Sequence, residues 1–148
     1  MPDSESQRTR LIGNLQAVLE LVPAELDRRL VESGLSWFEF AALAALDAAP
    51  SSRLRLSALA DATNAALPRT SRVAKGLELR GLLAKVACEE DGRATNAVLT
   101  KSGARVLEQA KPMIEQFFRE LLSGIDPQEL EGLAKSSGAM ASNIRSSP

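Results

Sequence analysis

Residues 56–103 read LSALADATNAALPRTSRVAKGLELRGLLAKVACEEDGRATNAVLTKSG. Ser57 stands where it can cap a brief Ala-rich helix reaching about Thr63, and Asn64 with its neighbours marks a turn. A second helix is predicted from about Leu67 to Arg80, with Pro68 in the first turn, where no intrahelical N–H is lost, and Gly81 as its stop. Beyond it, Leu83 to Cys88 and Thr95 to Leu99 carry strand patterns on either side of Asp91-Gly92. That dipeptide suits a tight hairpin turn, because both residues tolerate positive φ. The stretch thus predicts a helix-turn-helix over 57–80 followed by a two-stranded hairpin over 83–99.

Working outward, Leu54-Arg55-Leu56 is a short extended piece, and Pro50-Ser51-Ser52 breaks the chain before it. Upstream, Ser36-Trp37-Phe38-Glu39 has the capping-box spacing and opens a helix through Ala48. From Arg8, the residues Leu11, Leu15, Val18, Leu19, Val22, Leu26 and Leu30 recur at helical steps, with Pro23 expected to kink or restart the helix and Gly34 to close it. Downstream, Thr100 is a good N-cap for a helix bearing Val106, Leu107, Ala110, Ile114, Phe117, Phe118 and Leu121, kinked at Pro112. Asp126-Pro127-Gln128-Glu129 starts a last helix with Leu130, Leu133, Met140 and Ile144 on its apolar side, and the tail Ser146-Ser147-Pro148 is expected to fray. The fold class read from this order is mainly α with a small β-hairpin.

The chain has 148 residues, the size of one domain, and 45% hydrophobic against 25% charged residues is the mix of a soluble globular protein. It contains no His, which excludes imidazole catalysis, His-ligated zinc and a Ser/His/Asp triad together. No cofactor and no metal site is expected. A single cysteine, Cys88, rules out an internal disulfide and fits a reducing compartment. The start, Met1-Pro2-Asp3-Ser4-Glu5, is polar, and the apolar run Phe40 to Leu46 is far shorter than the ~20 residues of a membrane span. A cytoplasmic location without membrane association is the expectation.

The net charge of −1 conceals a segregation. Residues 53–93 hold eight basic and five acidic side chains, whereas the remainder holds ten and fourteen. At 100° per residue, Thr70, Val73, Ala74 and Leu77 share one side of the second helix, while Pro68, Ser71, Arg72 and Lys75 share the other, with Arg69 at the boundary. Taken alone, such a cationic side is the ordinary surface of a soluble helix. Arg93 at the hairpin tip adds a second probe: a donor-faced helix suits a major groove, and a guanidinium on an extended hairpin suits the narrow, electronegative minor groove. Asp91 is expected to favour the turn and to pair with an Arg.

The residues Leu56-Ser57-Ala58-Leu59-Ala60, Ser71 to Glu78, Arg80-Gly81-Leu82 and Asp91 to Gly103 together resemble the MarR family of bacterial transcriptional regulators. The resemblance runs over nearly the whole chain and is most specific in Asp-Gly-Arg followed by Leu-Thr-x-x-Gly. It implies one winged helix-turn-helix domain over 7–145: a DNA-binding lobe at about 35–100 with the wing at 83–99, and dimerisation helices at 7–32 and 101–145. It further implies a homodimer that reads a palindromic operator on double-stranded DNA, with contacts from Ser71, Arg72 and Lys75 on the reading helix and Arg93 on the wing. Arg69 and Thr70 are added from their place near the helix start, and Asp91 and Gly92 as residues that shape the wing. Gly76 departs from the family pattern, since a mid-helix glycine costs about 1 kcal/mol against Ala.

The resemblance also implies a pocket for a small aromatic effector, for which Trp37, Phe40 and Phe117 are candidates, although core packing explains the same aromatics. For Cys88, the adjacent Glu89, Glu90 and Asp91 should oppose thiolate formation unless Lys85 or an Arg compensates. Two functions of different class follow: a homodimeric regulator, commonly a repressor released by a small ligand, and a winged-helix module that binds another protein without touching DNA. No constellation of acid, base and nucleophile points to an enzyme.

Overall fold

The computed structural model describes residues 4–147, so Pro148 of the expected frayed tail and the first three residues of the polar start lie outside it. Among the described residues helices dominate, and the strands form one three-stranded antiparallel sheet. Two compact units divide the chain, one up to Glu115 and one from Gln116.

The first unit begins with α1 (Ser4–Leu30), which passes through Pro23 without ending. Residues 16–21 before the proline are exposed, so water can take up the carbonyl that the missing N–H leaves free. A 3₁₀ turn, Val31–Ser33, leads to Gly34 at φ 70°, the left-handed conformation a glycine adopts without strain. Helix α2 (Trp37–Ala48) carries the full capping box, the Ser36 hydroxyl accepting from the Glu39 amide while the Glu39 carboxylate accepts from the Ser36 amide. The guanidinium of Arg80 donates to the Gly34 carbonyl at 2.6 Å and to Glu39 at 3.3 Å. It thereby fastens the end of the second motif helix to the α1–α2 connection.

Two differences from the sequence expectation concern the strands. Arg53–Arg55 is a true strand, β1, paired with Asn96 to Val98, so the sheet has three strands rather than two. The chain passes from β1 straight into α3 (Leu56–Ala62), and Ser57 is the second residue of that helix rather than its cap; Arg55 takes the cap position without a side-chain bond. After α4 (Leu67–Leu79) come β2 (Leu83–Ala87) and the central strand β3 (Thr95–Leu99). Register places Leu54, Ala97 and Leu83 on one face of the sheet and Arg53, Arg55, Val86 and Asn96 on the other. Neither Asp91 nor Gly92 has positive φ. The strands are joined not by a tight two-residue turn but by a longer loop. Its base is the Cys88 amide bonded to the Ala94 carbonyl, and its tip is a turn in which the Ala94 amide bonds to the Asp91 carbonyl. The Asp91 carboxylate accepts from the backbone amide of Arg93 at 3.1 Å, so it shapes the turn through the main chain rather than through a guanidinium.

The core of this unit gathers Leu26 and Leu30 of α1, Phe40, Leu43 and Leu46 of α2, Leu59 of α3, Ala74 and Leu77 of α4, and Leu83 and Ala97 of the sheet. Helix α5 (Lys101–Leu121) starts against the root of the hairpin. Thr100 donates its hydroxyl to the Gly81 carbonyl at 2.7 Å and accepts from the Gly103 amide at 3.0 Å, the N-cap role expected of it. Gly103 is required by contact rather than by φ, because a Cβ there would lie 1.9 Å from the Leu82 carbonyl oxygen. In the second unit, Phe117 meets Phe118 edge-on at 5.3 Å, and α6 (Pro127–Arg145) opens on the Asp126 capping box. Among the described residues no helix is long and apolar enough to cross a membrane.

Candidate nucleic-acid interface

Helix α4 is placed by its buried side. Leu77 is 0% and Ala74 1% exposed, and Thr70, also 1% exposed, donates its hydroxyl to the Ala66 carbonyl at 3.1 Å. Thr70 therefore holds the start of the helix from within, and the direct DNA contact expected of it has no surface from which to be made. Arg72 and Lys75 are exposed on the opposite side, and Ser71 is half-buried beside them. Arg69 is exposed, with its guanidinium carbon 4.2 Å from the centre of the Phe38 ring of α2. Such stacking restrains the side chain while leaving its in-plane N–H groups available. Gly76 has open space where a Cβ would stand, so no close backbone approach explains it.

Between α4 and the wing lies a cleft of about 270 Å³ whose polar lining is Arg55, Ser57, Ser71, Arg93 and Thr95. It brings together Ser71 and Arg93, which are 22 positions apart in the sequence. It also adds Arg55, which the sequence reading counted among the basic residues of the segment but did not single out. The available signal was alternation: in Arg53-Leu54-Arg55 the leucine is half-buried and both arginines are exposed. Cationic donors thus converge on an open cleft with hydroxyls beside them, a set suited to phosphate and base edges.

The candidate effector residues divide between the units. Trp37 stacks on Phe40 at 5.7 Å with 17° between the rings, and Phe40 is buried in the core; Phe117 is buried in the second unit. Cys88 is 8% exposed, and the Arg55 guanidinium lies 3.5 Å from its sulfur. The backbone amides of Asp91 and Glu90 donate to that sulfur and, with the charge of Arg55, draw the thiol below its ordinary pKa despite burial. The sequence reading weighed the three acidic side chains and missed the amides that accompany them. Among the described residues no group of three or more His, Cys, Asp or Glu side chains could hold a metal.

The residues that build this interface are also the ones that can be matched to known proteins. Residues 33–94 match the MarR family. The fold is that of MarR-family transcriptional regulators. AbsC, a MarR family transcriptional regulator from Streptomyces coelicolor, is 26% identical and superposes with a TM-score of 0.87 over 99% of each chain. A second MarR family regulator from that organism, solved in complex with DNA, is 25% identical with a TM-score of 0.88 over 100% of this chain and 92% of its own. BpsR of Bordetella bronchiseptica, whose DNA binding is regulated by 6-hydroxynicotinic acid, is 23% identical, with a TM-score of 0.80 over 87% of this chain and 91% of its own.

Proposed function

We propose that the chain is a homodimeric, sequence-specific DNA-binding transcriptional regulator, a cytoplasmic repressor of nearby genes that reads a palindromic operator. The observation that carries this reading is the cleft joining Ser71 of α4 to Arg93 of the wing, with Arg55 on its lining. Helix α4 enters the major groove, where Arg72 forks onto guanine and Ser71 and Lys75 reach base edges or phosphates; Arg93 enters the minor groove. Arg69, stacked on Phe38, offers its guanidinium edge to a backbone phosphate, and Asp91 with Gly92 shapes the wing that carries Arg93. Thr70 has no part beyond placing the helix.

Dimerisation is supported in each unit by apolar side chains left in water. On α1, Leu11, Ile12, Val18, Leu19 and Leu21 are 48–70% exposed, and in the second unit Leu121, Leu133 and Ile144 are 40–75% exposed. Two half-sites then lie about one helical turn apart, near 10 bp centre to centre. Release by a small aromatic ligand, with Trp37 and Phe40 of the first unit as candidate contacts, is the finer part of the reading; the regulation of BpsR by 6-hydroxynicotinic acid is its precedent.

The test is a fluorescence-anisotropy titration of the purified chain on palindromic DNA from upstream of its own gene. Binding should weaken with salt at a log–log slope of roughly −4 to −5, as for four to six neutralised phosphates. Arg72→Ala should relax sequence preference by about 1–3 kcal/mol at one base pair, while Arg93→Ala should weaken binding evenly across sequences. A slope near zero, or affinity unchanged in both variants, overturns the assignment. A stable complex with another protein and no DNA shift would favour the protein-binding module.

A further inference from the structure

Carboxylates hold the restrained cations elsewhere in the first unit: Glu25 holds Arg28 and Arg29, Glu39 holds Arg80, and Asp47 with Glu108 holds Lys111. Arg69 departs from this pattern. Among the described residues no carboxylate lies within ion-pair distance of it, and its guanidinium instead faces the ring of Phe38 at 4.2 Å. An ion pair restrains a guanidinium by cancelling its charge, whereas a ring restrains it and leaves the charge and the in-plane N–H groups for an anion. Both ends of this side chain are pinned. Its backbone stands between Pro68, whose ring fixes φ, and Thr70, which is 1% exposed and bonded to the Ala66 carbonyl. Its far end lies on Phe38, the second residue of α2, a helix start held by the Ser36–Glu39 box and by the Trp37 amide donating to the Asp27 carboxylate at 2.6 Å. The amides of Ser36, Trp37 and Glu39 are thus already bonded, and the group that α2 offers to an anion is the guanidinium resting on its ring. Arg72 follows one turn along α4 and is exposed.

We infer that Phe38 is a positioning residue of the DNA interface: its ring holds Arg69 ready for one backbone phosphate, and that contact sets the register in which Arg72 meets its base pair. The inference rests on the reading of α4 as the helix that contacts DNA. Phe38 acts through Arg69 and needs no contact with DNA of its own. The gain comes from preorganisation, because an arginine already ordered in the free protein loses less side-chain entropy when it binds. A phosphate contact carries no sequence information itself, but it fixes where the strand lies relative to the side chain that reads a base. Phe38 therefore bears on specificity as well as on affinity, although it belongs to α2 and stands outside the helix-turn-helix.

The experiment titrates the full chain on the palindromic duplex from upstream of its own gene, over a series of salt concentrations, with the circular dichroism of each variant as a check on folding. Arg69→Ala should weaken binding about tenfold and reduce the steepness of the log–log salt slope by about 1 per half-site. Phe38→Leu should weaken binding about threefold with the slope unchanged, because the charge is still present. Phe38→Tyr, which keeps the ring face, should recover most of that loss, and Phe38→Leu should add nothing once Arg69 is alanine. Phe38→Leu should also lower discrimination at the base pair that Arg72→Ala identifies. Equal losses from Phe38→Leu with and without Arg69 overturn the inference, as does Phe38→Tyr falling as far as Phe38→Leu. An unchanged slope in Arg69→Ala overturns the phosphate contact, and unchanged discrimination in Phe38→Leu overturns the register. Arg69→Ala alters an exposed position and Phe38→Tyr keeps the ring, so both stay readable if Phe38→Leu loosens α2. In the free protein, the order parameter of the Arg69 Nε–H should lie above about 0.6 and fall below it in Phe38→Leu. Failure of the wild type to bind any DNA overturns the regulator reading and the phosphate contact with it, while the order parameters still decide whether Phe38 restrains Arg69.

Discussion

Arg69, Thr70, Ser71 and Arg72 follow one another along the first turns of α4, and the 100° step between them sends each to a different environment: a ring face, the core, a cleft and open solvent. The helical wheel was enough to separate Thr70 from Ser71 and Arg72, so adding Thr70 to the contact set by nearness in sequence overrode a correct geometric signal. What the wheel could not reveal is partnership at long range. Phe38 under Arg69 and Arg55 beside Cys88 are separated from their partners by 31 and 33 positions, distances over which periodicity says nothing. Two glycines give opposite predictions at this scale. Gly76→Ala should raise stability by about 0.5–1 kcal/mol in urea denaturation, because the site is helical and open. Gly103→Ala should cost about 2 kcal/mol or more in the same measurement, because its methyl group meets the Leu82 carbonyl, and that backbone is fixed by Thr100.

The helices were legible wherever their ends carry chemistry. Ser36 with Glu39 and Asp126 with Glu129 form the boxes that their spacing predicts, and Ser36→Ala should lower stability by about 1 kcal/mol, as read from the shift in denaturation midpoint at constant slope. Strand β1 was less legible, because an alternation of three residues does not tell a paired strand from an isolated extended piece; its identity as a sheet strand comes from pairing with β3. The wing loop was misread for a related reason: Asp91-Gly92 favours a tight turn locally, but the bonds at Cys88 and Ala94 fix a wider loop. At the C-terminal end of α1, Glu25 is bonded by Arg28 and Arg29, which hold its carboxyl at about 2, below its ordinary 4.5. A depressed carboxyl pKa adds stability that is present above the unfolded value and fades as pH falls from about 4.5 through about 2. Thermal unfolding of the wild type and of Glu25→Gln should therefore differ at pH 6 and converge near pH 2.

For the molecule as a whole, a net charge of −1 is the wrong number to read, because the reading segment is cationic and the rest of the chain acidic. Nonspecific attraction to DNA is thereby limited while one surface remains attractive to phosphate. The proposed dimer rests on an excess of apolar residues on the outer helices, and which of these pack internally was not legible. Leu26 and Leu30 turn out to be buried within the first unit, while Leu19 on the same helix is 70% exposed. Leu19→Glu should therefore spare the fold of the protomer and shift sedimentation toward monomer, and the melting temperature of the wild type should rise with protein concentration.

Thr100 closes the hairpin at its root: its amide bonds to the Leu82 carbonyl, its hydroxyl to the Gly81 carbonyl, and Gly103 bonds back to that hydroxyl. At the far end the chain turns on the Asp91–Ala94 and Asp91–Arg93 bonds. Mechanically this is a beam clamped at one end. A load at Arg93 bends the outer part of the hairpin while the anchored end passes little of it to α4 and α5. In the proposed DNA complex the wing would then follow variation in groove width without disturbing how α4 is seated, and amide hydrogen exchange in the free protein should slow progressively from Arg93 toward Leu83 and Leu99.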